Sequence, residues 1–139
     1  MQEGVLFHYL KEPRKDLYFN QLSLEISGEI DRDIFKNAWD FVVKNNEALR
    51  TVFRWEKLEN PYQAILKTST INLRYKDLSA LKTHEEKQTR WEKIKQDDRD
   101  LSFDLGDIAF RVLLCKVSGQ RYYILISNHH ILYDGWSTG

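Results

Sequence analysis

Two adjacent histidines, His129 and His130, close a strongly apolar run, and Asp134 and Gly135 follow in the segment Ser127-Asn128-His129-His130-Ile131-Leu132-Tyr133-Asp134-Gly135-Trp136-Ser137. An imidazole titrates at about 6.5 before perturbation, which suits it to take and return protons near neutrality. Neighbouring residues on an extended chain point to opposite faces, so the two rings are expected to differ in role. One turns into the protein and is held by fixed hydrogen bonds; the other faces a channel as a general base. The same divergence makes them a poor chelating pair, and His8 and His84 stand at no metal-ligand spacing from them, so no metal is expected. As residues alone, the segment reads either as a catalytic histidine on a strand end or as a packed pair before an Asp-Gly turn.

Several elements must position that segment. Arg121 to Asn128 and Ile108 to Val117 are β-rich runs around Ser118-Gly119-Gln120, which predicts a hairpin. Tyr122 to Ile126 is continuously apolar, as in a strand covered on both faces and central in its sheet. Tyr18 to Ser27 alternates, with Leu22, Leu24 and Ile26 on one face, and Gly28 ends it. Asp31 is a good N-cap for a helix that carries Ile34, Ala38, Phe41, Val42 and Asn45 at helical spacing. Phe35 and Trp39 widen its stripe, and it closes near Asn46. Thr51 to Lys57 and Tyr62 to Lys67 predict two strands joined through Asn60-Pro61, and Ile71 to Tyr75 a weaker one. Thr83 to about Arg99 predicts a polar helix with Trp91 and Ile94 as its apolar contacts; Asp97-Asp98-Arg99-Asp100 reads as its solvated end. A short helix is expected over Gln2 to Leu10. Strands separated by helices in this order predict an α/β (α+β) sandwich, helices packed on a mostly antiparallel or mixed sheet.

The 139 residues suit one domain. Lys and Arg number 21 and Asp and Glu 21, a balance that argues against a nucleic-acid surface or a polybasic membrane patch. No apolar run reaches the roughly 20 residues of a membrane span, and Met1-Gln2-Glu3-Gly4 lacks the basic start of a secretory signal. The single cysteine, Cys115, sits in an alternating apolar run and reads as a small core residue. A cytoplasmic setting is expected.

Three stretches, in order, resemble the motifs of condensation domains of nonribosomal peptide synthetases, relatives of chloramphenicol acetyltransferase. His129, His130, Asp134 and Gly135 fill the fixed positions of HHxxxDG; Met1 to His8 resembles the MQEGMLFH opening; Asn46 to Phe53 resembles RHExLRTxF. Phe103-Asp104-Leu105 is a further likeness. Asn45-Asn46 departs from the family's Arg-His before Glu47. The resemblance covers essentially the whole chain.

That resemblance implies a chloramphenicol acetyltransferase-like half and an amide-forming enzyme. His130 would assist attack of an acceptor amine on a donor thioester, either as general base or as stabiliser of the tetrahedral state. His129 would be structural, Asp134 would pair with Arg50 and hold the histidine loop, and Gly135 would let the backbone lie close to substrate. No cofactor is bound directly; substrates come on the phosphopantetheine arms of carrier proteins. The implied partners are peptidyl and aminoacyl carrier domains, an adenylation domain and the C-terminal lobe of the same domain, with no nucleic acid and no membrane. Residues 1–139 would be the N-terminal lobe, ending just past HHxxxDG, expected to fold without condensing substrates and to leave an apolar face exposed. The opening looks most like the subtype that takes a D-residue donor. The competing readings are another acyltransferase or an epimerisation domain of the same superfamily, and a non-catalytic module that docks a carrier protein.

Overall fold

The structure, a computed structural model, describes residues 19–54, 62–104 and 106–129. The expected helix over Gln2 to Leu10, the Asn60-Pro61 turn and residues 130–139 lie outside the described residues.

Strand β1 spans Phe19–Ser27 and ends at Gly28, whose φ of 114° lies in the left-handed region that favours glycine. There its amide donates to the Gln120 carbonyl at 2.7 Å, tying the end of β1 to the far hairpin. Helix α1, Arg32–Lys44, starts as the sequence predicts: the Asp31 carboxylate accepts the Asp33 and Ile34 amides at 2.9 and 3.0 Å. A 3₁₀ turn, Glu47–Arg50, leads into β2, Thr51–Arg54, which pairs antiparallel with β3, Tyr62–Ile65. Strand β4 is Leu73–Asp77, two residues later than expected. The Ile71 amide is taken instead by the Asp40 carboxylate at 2.7 Å and the Asn72 carbonyl by the Val112 amide, so ladder pairing begins at Leu73. Helix α2, His84–Asp100, opens on a capping box between Thr83 and Glu86. Strands β5, Phe110–Ser118, and β6, Arg121–His129, form the predicted hairpin.

The main sheet runs β1-β6-β5-β4, with β1, β6 and β5 antiparallel and β4 parallel to β5. A parallel pair needs a crossover, and α2 supplies it. The expected mixed sheet is therefore present, with β6 and β5 inside it. Each face of those two strands is buried. Phe110, Val112, Leu114, Tyr122 and Ile124 pack with Val43, Leu49 and Phe53 on the α1 side. Leu113, Cys115, Val117, Tyr123 and Leu125 pack with Trp91 and Ile94 of α2 on the other.

Two expectations about buried faces are corrected. On α1 the packed ridge is Phe35, Trp39 and Val43, while Ile34 and Phe41 are each 68% exposed. Trp39 sets that rotation by packing on Phe110, ring centroids 5.6 Å apart, and Asp40 locks it through Ile71. On β1 only Ile26 of the alternating trio joins the core; Leu22 and Leu24 are 53% and 41% exposed.

Candidate active site

The exit of β6 carries the histidine pair, and the described residues reach its first member. His129 is 6% exposed. Its amide donates to the Ala109 carbonyl at 3.0 Å, its carbonyl accepts from Asn128 Nδ2 at 3.1 Å, and it stands opposite Phe19 of β1. Backbone pairing on both sides thus holds the residue immediately before His130. Tyr123, Leu125 and Ser127 face α2, so alternation puts His129 on that same side.

Arg50, at the end of the 3₁₀ turn, is half-buried and works on backbone carbonyls. Its Nε donates to Val43 O at 3.1 Å, and one terminal nitrogen donates to Leu66 O at 2.5 Å and Lys67 O at 3.4 Å. The guanidinium fastens the last turn of α1 to the exit of β3. His130, Asp134 and Gly135 lie outside the described residues, and so does the expected Arg50–Asp134 pair.

Beneath His129 lies a buried polar group that the sequence reading took for solvated helix end. Asp98 is only 3% exposed. Its carboxylate accepts from Arg111 Nε at 2.7 Å, from Gln21 Nε2 at 2.8 Å and from the Ser127 hydroxyl. Arg111, 5% exposed, also donates to the carbonyls of Asp98 at 2.6 Å and Leu101 at 2.8 Å. Its guanidinium carbon lies 4.1 Å from the Phe103 ring centroid. Burial of a lone charge is costly, so an arginine inside an apolar strand and an aspartate inside a core-facing helix turn must find each other. The sequence held the signal: Asp98 continues the Trp91, Ile94 ridge at helical spacing, and Arg111 is the one charge on the α2-facing positions 111, 113, 115 and 117.

A mixed sheet with a helix packed on each face, its interior strand β6 ending at a buried histidine, matches the chloramphenicol acetyltransferase-like fold. The Condensation domain family model matches residues 1–139, and the chain belongs to that family. It is 36% identical to surfactin synthase subunit 2 of Bacillus subtilis (strain 168) over 140 residues, covering 100% of this chain and 4% of that synthase. It is 37% identical to tyrocidine synthase 2 of Brevibacillus parabrevis over 137 residues, again spanning 4% of the relative's length. Among solved structures, the first condensation domain of the calcium-dependent antibiotic synthetase, in complex with substrate analogue 2a, superposes with TM-score 0.79 at 25% identity. That match covers 93% of this chain and 31% of the other. The starter condensation domain of rhizomide synthetase RzmA shares the fold at TM-score 0.84 and 22% identity, with 99% and 32% covered. The chain thus spans about a third of these solved domains.

Proposed function

We propose that this chain is the N-terminal, histidine-bearing lobe of a domain that joins a donor acyl group and an acceptor amine, both carried as thioesters on phosphopantetheine arms of carrier proteins. The acceptor nitrogen attacks the donor thioester carbonyl, the C–S bond breaks, the carrier thiol leaves, and the amine gives up one proton. The product is an amide and a free thiol. His130 takes that proton or stabilises the charged tetrahedral state; help of either kind is worth about 10²–10⁴-fold. His129 is structural. The burial of His129 on the α2-facing side of β6 supports the structural role given to it.

Asp134 pairs with Arg50 and orients the histidine loop, and Gly135 leaves room for substrate. Arg50 suits that task because its hydrogen bonds to α1 and β3 hold it in a fixed place. The C-terminal lobe of the same domain supplies the opposing wall, and an adenylation domain loads the carriers. The single observation that carries the reading is that His129, the first residue of the HHxxxDG sequence, is the buried last residue of β6 in a chain of the condensation family.

The test is His130→Ala in the synthetase that contains this chain, assayed for product from two loaded carrier proteins. A loss of about 10²-fold or more in rate is expected; undiminished product would sink the catalytic assignment. Because the chain spans about a third of the solved condensation domains, these 139 residues assayed by themselves are expected to form none.

A further inference from the structure

Gln21, Ser127 and Arg111 are direct neighbours across β1, β6 and β5: Gln21 stands opposite Ser127, and Ser127 opposite Arg111. All three side chains reach one carboxylate, that of Asp98 on α2. The next row on the same face is Phe19, His129 and the Ala109 carbonyl that accepts the His129 amide. Phe103 links the two rows, with Phe19 at 5.6 Å between ring centroids and the Arg111 guanidinium at 4.1 Å. Arg99 closes the group from outside, donating to Gln21 Oε1 at 2.9 Å.

Such a row differs from ordinary core packing. Backbone ladders fix the register of β6 and apolar contacts are non-directional, whereas convergent hydrogen bonds to a buried charge fix the direction of the side chains that make them. Ser127 lies two residues before His129 and three before His130, on the strand that delivers both. We infer that Asp98, with Ser127 and Arg111, is a positioning clamp for the catalytic histidine: it holds the last residues of β6, from Ser127 to His129, in one direction against α2. The inference rests on the role proposed for His130.

The experiment uses the synthetase that contains this chain. Ser127→Ala removes one hydroxyl from the clamp. The double variant Asp98→Leu with Arg111→Met removes the buried charges together, a replacement that is often neutral or stabilising for a fold. The clamp predicts a fall in kcat toward 10²-fold in the folded double variant, with KM within about twofold, because a displacement of about 1 Å at the reacting group has that effect. Ser127→Ala falls in the same direction by about tenfold, since it deletes one hydrogen bond of the group. A folded double variant with wild-type kcat, or a loss confined to KM, overturns the clamp. His130→Ala measured alongside separates the two ideas. If it stays active, the catalytic assignment fails; if it is dead while the clamp variants keep wild-type kcat, the clamp alone fails.

Discussion

Cys115 shows how a residue's surroundings decide its chemistry. It is 0% exposed on β5, packed with the α2-side core, and burial pushes its thiol up to about 12. Only the thiolate is a nucleophile, so at pH 8 the native thiol is expected to resist iodoacetamide and to react once the chain is unfolded. Thiol titration with and without denaturant checks this; rapid alkylation of the native chain would contradict the burial. Its core role was legible in the apolar alternation around it. Asp98 was passed over because it stands among four consecutive charged residues; its helical spacing from Trp91 and Ile94 was the signal, and Arg111 on β5 is the partner that lets it turn inward. Alternation, a local property of a strand, gave only that the two rings differ in role; the structural role of His129 came from the family resemblance, and its burial is consistent with that role.

At the scale of elements, α1 is held to the start of β4 by Asp40. A hydrogen bond from Lys36 at 2.6 Å and another from the Ile71 amide at 2.7 Å draw its carboxyl below the ordinary carboxylate value, against some burial. A depressed folded-state value means a stabilising contribution that is complete above the unfolded value of about 4 and is lost as pH falls through the folded one. Asp40→Asn is therefore expected to lower stability by about 1 kcal/mol at neutral pH, and to flatten the fall in melting temperature as pH drops below about 4. Thermal melts across that range test it; an unchanged acid limb would remove Asp40 from the account. Strand and helix positions were largely readable from periodicity and caps. The buried face of α1 was not, because Ile34, Phe35, Trp39, Phe41, Val42 and Val43 ring much of the helix and no period singles out one side. The aromatic contact of Trp39 with Phe110, distant in sequence, makes that choice.

For the molecule as a whole, the sheet's α1 face is unevenly covered. Leu22 and Leu24 of β1 stand opposite Ile126 and Ile124, and both leucines are exposed. An apolar strip of this kind promotes association. The isolated chain is expected to self-associate as its concentration rises, and Leu22→Thr with Leu24→Thr to shift it toward monomer. Sedimentation velocity is the measurement, and equal association of the two forms would discount the strip.

The antiparallel pairing of β1 with β6 joins the first described strand to the last: Glu25 and Arg121, bridged at 2.9 Å, are 96 residues apart in the chain. A ribosome adding ~5–20 residues per second needs roughly 5–20 s to bridge that gap. Throughout that wait β1 lacks the ladder that β6 supplies. The strand that ends at His129 is then the last of the described strands to arrive, so the sheet closes only when that end of it is made.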